Sequence, residues 1–288
     1  MKWPILFIAA GCIDTTHAQT LSVPLGLDAF VPVPASNPLT RDKVELGKRL
    51  FFDKRLSLDN TVSCATCHDP KLAYTDTRKL ATGIDGRVGD RRSPRLVNRA
   101  FGRAFFWDSR AATLEEQVLQ PISNPNEMNL PVETAAARVG VSREAMRDAL
   151  ASYVRTIVSG DSPYDRFIAG DHQALNAEQR AGFRLFRGQA GCALCHLGPT
   201  LTDEKRHDTG VGGGAFKTPS LREVARTPPY MHDGSLATLD DVIDFYDKGG
   251  KPGPTLDPDI QPLNLKAAEK AALKAFLQAL NGTVRDGL

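Results

Sequence analysis

Cys64-Ala65-Thr66-Cys67-His68 and Cys192-Ala193-Leu194-Cys195-His196 are two C-x-x-C-H runs in one chain. This is the attachment signature of c-type haem. Two thiols at this spacing can form thioethers with the two vinyl groups of one haem, and the following His is placed to bind the iron from the proximal side. A single run would also suit a zinc half-site or a redox dithiol. The pairs start 128 residues apart, far wider than the spacing within compact zinc modules. The reading is two covalent haems.

Composition agrees with a haem-filled fold. The chain has 288 residues, room for two domains, and is 41% apolar with 19 Pro and 24 Gly, so many loops are expected. Haem is a large apolar body and supplies core that side chains would otherwise provide. A net charge of +2 excludes a general nucleic-acid partner. The one basic cluster holds seven arginines between Arg87 and Arg110. It reads equally as a solvated loop or as a set of partners for haem propionates.

Residues 1–18 resemble an export signal, with Lys2 before the mostly apolar stretch Trp3 to Gly11 and a small residue, Ala18, at the cut site. Ala9-Ala10-Gly11-Cys12 offers an alternative, lipoprotein cleavage with an anchor on Cys12. Either route exports the chain, and no other apolar run is long enough to span a membrane. Haem attachment also points to the periplasm. It claims the four remaining cysteines, so no disulfide is expected.

The expected fold is mainly α and loop-rich, with two cytochrome c-like helical domains, each built around one haem. Residues 19–39, rich in Pro and Val, form an extended arm. The first haem domain spans 40–168 and the second 169–288. A helix is predicted from Arg41 to Phe52, where Val44, Leu46, Leu50 and Phe51 can share a face. Gly47-Lys48-Arg49-Leu50-Phe51 precedes the first haem run and Gly182-Phe183-Arg184-Leu185-Phe186 the second, a pattern of degenerate duplication. Residues 113–168 read as helical connection broken by Pro121, Asn124-Pro125 and Pro131, and 265–280 as an amphipathic helix.

Ligands for the far side of each iron are few. After the signal the histidines are 68, 172, 196, 207 and 232 and the methionines 128, 146 and 231, so no His lies between His68 and His172. An open position is where peroxide can react, whereas a filled one favours electron transfer. At this point the chain resembles the bacterial dihaem cytochrome c peroxidase and MauG superfamily, from about Leu46 to Tyr246. The resemblance rests on Arg55-Leu56-Ser57, Phe106-Trp107-Asp108-Ser109-Arg110, Gln117, Pro121 and Asn124-Pro125-Asn126-Glu127-Met128. It continues in Thr218-Pro219-Ser220-Leu221-Arg222 and Pro229-Tyr230-Met231-His232-Asp233-Gly234.

The resemblance implies that the first haem, with His68 proximal, reacts with peroxide. Glu127 matches the distal acid/base, Gln117 and Pro121 its neighbours, and Trp107 the tryptophan between the haems. Without the family, Glu127 would read as a solvated loop residue and Trp107 as core filler. The reductively activated peroxidases carry a His in the loop matching Gly83-Ile84-Asp85-Gly86, which this chain lacks. The position of their Met ligand on the second haem, beside His196, is Tyr246, as in the MauG-like branch; simple packing of Tyr246 and ligation by Met231 are the alternatives. The family also holds Ca2+ through two carbonyls, matching Thr227 and Pro229, and an Asn side chain, matching Arg92. Arg cannot ligate Ca2+, which puts the ion in doubt here and lets Arg92 bring its own cation. His207 and His232 are expected to be structural, and His172 a surface residue.

The activity implied is hydrogen peroxide-driven oxidation of an exported partner protein at Trp or Tyr, by long-range hole transfer from a bis-Fe(IV)-like state. A peroxide scavenger fed by a redox protein donor is the alternative within enzymes. A non-catalytic dihaem electron carrier is the alternative outside them.

Overall fold

The structure, a computed structural model, describes residues 18–288. The export signal and Cys12 therefore lie outside the described residues, Ala18 apart, and nothing favours a lipid anchor. Among the described residues no helix is long and apolar enough to cross a membrane.

Ten α-helices occur among these residues, most of them short. They are α1 (Arg41–Phe51), α2 (Cys64–Cys67), α3 (Leu114–Gln117), α4 (Gln120–Ser123), α5 (Val132–Val139), α6 (Arg143–Arg155), α7 (Pro163–Ile168), α8 (Ala177–Arg187), α9 (Leu239–Asp247) and α10 (Ala267–Gln278). Helix content is thus more modest than "mainly α" implies, and long loops carry much of the fold. The connection breaks between α3 and α4, just ahead of Pro121. Pro121 sits in the first turn of α4, where its missing N–H has no helical partner to lose. The connection also contains a strand, β1 (Val158–Gly160).

Helix α1 begins where the Thr40 hydroxyl accepts from the Lys43 N–H, with Asp42 in the first turn and Lys48 and Arg49 in the last. Those charges complement the helix dipole. Val44, Gly47, Leu50 and Phe51 form its buried face. Helix α8 begins at a reciprocal cap between Asn176 and Gln179 and buries Gly182 and Phe186. Each helix crosses a later one, α1 on α6 and α8 on α10, and the crossings match in detail. A Cβ on Gly47 would lie 1.9 Å from the Ala149 carbonyl oxygen and 2.8 Å from the Tyr153 Cβ. A Cβ on Gly182 would lie 1.9 Å from the Ala272 carbonyl oxygen and 2.8 Å from the Phe276 Cβ. The shared glycine of the two G-x-R-L-F runs is therefore the point where two backbones touch.

Buried apolar residues gather in two clusters, one around Phe51, Leu150 and Tyr153, the other around Phe186, Leu273 and Phe276. Several links join them. Strand β4 (Thr283–Arg285), at the end of the chain, pairs antiparallel with β1. Asp286 then accepts from the hydroxyls of Tyr74 and Tyr153 and from Lys48. The 19–39 segment has no helix or strand, but it is anchored. Leu21 and Leu39 are buried, and the Gly26 carbonyl accepts from Arg222 at 2.7 Å. Arg222 also pairs with Asp165 at 2.5 Å, both side chains only 1% exposed. A small hairpin, β2 (Arg206–His207) with β3 (Phe216–Lys217), completes the strands.

Candidate active site

A cavity of about 640 Å³ runs between the two halves. It is bordered by Cys67 and His68 of the first C-x-x-C-H run and by Cys192, Cys195 and His196 of the second. A second cavity of about 80 Å³ continues beside Cys64, Cys67 and His68. Gln117, Pro121 and Glu127 border both spaces, and Trp107 and Tyr246 border the larger. The structure thus gathers the nominated catalytic side chains around the two runs.

Local folding presents each run in the same way. The first forms α2, the second a single 3-10 turn, and in both the His N–H closes on the first Cys carbonyl, at 3.0 Å for His68 and 2.9 Å for His196. The His68 Nδ1 meets the Tyr74 carbonyl at 3.0 Å and the His196 Nδ1 meets the Leu201 carbonyl at 3.1 Å. A carbonyl can only accept, so each Nδ1 carries the proton and Nε2 keeps the lone pair that a metal needs. Burial depresses both imidazoles, His196 to about 4, which keeps them neutral at pH 7. Among the described residues the four cysteines form no disulfide, and burial pushes the Cys64 and Cys192 thiols up to about 12.

Around the first run, Glu127 is the acid. Burial raises its pKa, against the opposing effects of a 2.6 Å hydrogen bond from Asn124 and the charge of Arg110. The Gly83–Gly86 loop packs on the Glu127 backbone, with the Ile84 N–H donating to its carbonyl at 2.9 Å. No second His borders the smaller cavity, although Met128 does. Around the second run, Tyr246 is raised above the ordinary phenol range by burial and by the neighbouring Cys192 and Cys195. Met231 also borders the larger cavity, so both nominated ligands are near.

The indole of Trp107 is fixed by its Nε1–H, which donates to the Arg92 carbonyl at 2.9 Å. His232 lies 6.4 Å from it, centroid to centroid, and stacks on Phe216 at 3.5 Å. His207 bridges Asp203 at 2.8 Å and Asp257 at 2.5 Å, while His172 is exposed. The proximity of Cys195, Asp203 and His207 superficially suggests a metal site, but Cys195 belongs to the haem-attachment run.

The arginine cluster divides between the two readings. Arg87 and Arg110 face solvent, paired with Asp85 and Asp108. Arg92 and Arg95 turn inward, and among the described residues neither forms an ion pair with a carboxylate. Arg95 donates to Thr227 and to the Ser220 carbonyl, and burial lowers it to about 10. Arg92 is also lowered by burial. One buried and one half-buried cation bordering a mostly apolar cavity suit an anionic cofactor such as a haem with its propionates. Lys217, which sequence reasoning missed, borders the same space and is depressed by burial to about 7 beside Arg99 and Glu204. Nothing local in the sequence marked it.

The calcium residues do not fit an ion. The Thr227 carbonyl accepts from Arg92 Nη1 at 3.1 Å, so a guanidinium already uses that oxygen.

Residues 41–173 match the family model described as di-haem cytochrome c peroxidase. The methylamine utilization protein MauG of Methylorubrum extorquens is 41% identical over 87% of this chain and 81% of its own length. The cytochrome c peroxidase Ccp of Escherichia coli is 33% identical over 87% of this chain and 60% of its own. Among solved structures, a MauG-like protein associated with microbial copper homeostasis aligns with a TM-score of 0.79 and 32% identity. That alignment covers 92% of this chain and 94% of the other.

Proposed function

Because the chain belongs to the di-haem cytochrome c peroxidase and MauG family, and is thereby a peroxidase-type haem oxidoreductase, we propose that it is an exported, periplasmic enzyme that oxidises a partner protein at Trp or Tyr with hydrogen peroxide. It would carry two c-type haems, one on Cys64 and Cys67 with His68, the other on Cys192 and Cys195 with His196 and Tyr246. The observation that carries this reading is the asymmetry of the two sites. Glu127 and, among the described residues, no second His border the smaller cavity beside His68, while a phenol, Tyr246, borders the larger one beside Cys192 and Cys195.

When bound, the haems supply the redox chemistry, accepting oxidising equivalents from peroxide. The chain's own residues do the rest. Glu127 holds a proton at its carboxyl longer than a solvated Glu and can move it between the two peroxide oxygens. Asn124 orients that carboxyl, and Gln117 and Pro121 border the same space. Tyr246, a neutral phenol by itself, would offer a phenolate oxygen on losing its proton to iron, and a phenolate favours higher oxidation states than the Met of the reductively activated peroxidases. Trp107, pinned through its indole N–H, is the relay for holes between the sites, so a protein substrate need not enter the cavity. Peroxide scavenging is the second reading, favoured by the likeness to proteins named cytochrome c peroxidase.

Electron paramagnetic resonance of the oxidised holoprotein tests the proposal. One high-spin and one low-spin ferric signal are expected, and stoichiometric peroxide should give a long-lived oxidised protein. In Tyr246→Met both haems should stay attached while that lifetime falls. Two low-spin signals in the parent, or an unchanged lifetime in the variant, would overturn the assignment. Rapid turnover of peroxide with a small cytochrome donor would favour the scavenger.

A further inference from the structure

We infer that the guanidinium of Arg92 is the resident cation at the junction of the two halves, in place of Ca2+, and that it positions Trp107. Arg92 is 5% exposed, and among the described residues no carboxylate lies within ion-pair distance of it; the Asp76 carboxylate, paired with Arg78, acts on it only at longer range. The guanidinium is held by neutral oxygens from both sides of the junction. Nη1 donates to the Thr227 carbonyl at 3.1 Å, and Nη2 reaches the Asp76 carbonyl at 3.3 Å and the Thr75 hydroxyl at 3.5 Å. Carbonyls and a hydroxyl converging on a buried positive charge resemble the coordination that Ca2+ takes, with oxygens at about 2.3–2.6 Å. Here the guanidinium fills that place. An ion bonded to the Thr227 oxygen would sit against it, with like charges repelling in a buried site.

The backbone of the same residue reaches the relay. The Arg92 N–H donates to the His232 carbonyl at 2.9 Å, and the Arg92 carbonyl accepts the indole N–H of Trp107 at 2.9 Å. Anchoring the side chain to Thr227 therefore fixes the peptide that holds Trp107. A covalently tethered cation cannot be removed by a chelator, so the junction should be insensitive to calcium. This inference rests on the contacts of Arg92 and not on the proposed substrate or on the Tyr246 ligand.

The test uses the haem-loaded parent with Arg92→Lys and Arg92→Asn. Metal content is read by mass spectrometry after dialysis against EGTA. The hydrogen bond of Trp107 is read by ultraviolet resonance Raman, and the haems by paramagnetic resonance. The parent should hold no stoichiometric Ca2+, with spectra unchanged by EGTA or added CaCl2. Arg92→Lys, which keeps a cation, should stay calcium-independent. Arg92→Asn frees the Thr227 oxygen and adds a side-chain oxygen, so it should take up Ca2+ stoichiometrically. Its Trp107 signature should weaken in EGTA and return with Ca2+. Stoichiometric Ca2+ in the parent, a chelator-sensitive parent spectrum, or an Arg92→Asn that neither binds Ca2+ nor alters Trp107 would overturn the inference. Should Arg92→Asn fail to fold, the chelation results for the parent and Arg92→Lys decide alone.

Discussion

Substituting Gly47 and Gly182 singly with Ala tests whether the two haem sites rest on equivalent helix crossings. Each new Cβ would lie 1.9 Å from a carbonyl oxygen of the facing helix. Carbon–oxygen contacts close to about 3.3 Å, so each helix must retreat by about 1.4 Å. The obstacle is backbone, which cannot rotate away as a flexible side chain would. Overpacking costs about 1–3 kcal/mol, and this geometry belongs at the upper end. Helix propensity opposes it, because Ala is better than Gly by about 1 kcal/mol in a helix interior. The net is a destabilisation of about 2 kcal/mol, which at about 2.1 cal/mol/K of unfolding entropy per residue lowers the melting temperature of a chain of this size by about 3–4 °C. Calorimetry on the holoprotein reads that shift, and paramagnetic resonance locates it. Gly47→Ala moves α1 against α6, whose Leu150 and Val154 border the cavity beside His68, so the first haem's signal should change. Gly182→Ala moves α8 against α10, whose Leu277 borders the larger cavity with Tyr246, so the second should change. A melting temperature that is unchanged or raised in either variant would refute the close crossing. A change confined to the same haem in both would refute the equivalence.

Two further outcomes are expected. Glu127→Gln should leave the haems attached and slow the reaction with peroxide by about 10²–10⁴-fold, read by stopped flow; an unaltered rate would return Glu127 to a structural role. The acid limb of stability should depend on Glu204. Burial raises its pKa, but Arg99 and Lys217 overcome this and hold it down at about 2. A depressed carboxylate contributes stability that is present above its unfolded value and lost as pH falls toward the folded one. Stability should therefore drop between about pH 4 and pH 2, and Glu204→Gln should flatten that limb while lowering stability at pH 7. An acid limb unchanged in Glu204→Gln would dismiss this source.

Whatever was local in sequence was legible, and whatever depended on distant partners was not. The two C-x-x-C-H runs carry their chemistry within five residues each, so their reading needed no fold. The helix predicted at 41–52 is observed at Arg41–Phe51, because its cap, charges and apolar spacing all lie inside the segment. The predicted 265–280 helix is shorter, at Ala267–Gln278, because Lys266 is extended and serves as its N-cap while Ala279 closes its C-terminus. The glycine of G-x-R-L-F was visible as a repeat, but its reason lies about a hundred residues away in each half, at Ala149 and Ala272. The arginine cluster could not be divided from sequence, since loop positions have no period to say which side chains turn inward. The ion pair of Arg222 with Asp165, and the contacts of Asp286 with Tyr74 and Tyr153, join residues with no local signature at all.

Those distant links bear on how the halves can cooperate. Hole transfer between two sites depends on a fixed separation, and independent units joined by a linker would not provide one. Here the chain's last strand pairs with β1 of the first half, and Asp286 beyond it accepts from two buried tyrosines. The 19–39 arm reaches Arg222 of the second half, which is locked to Asp165. Arg92 spans from Asp76 to Thr227 and holds Trp107 by its carbonyl. Most of these links have at least one buried polar partner, Tyr74, Tyr153, Asp165, Arg222 or Arg92, where leaving a group unsatisfied is costly. Relative movement of the halves would break several at once. The arm, the last strand and Arg92 thus act toward one end, which is to hold the two halves, and the cavity that Trp107 borders with Cys67 and Cys195, in a fixed relation.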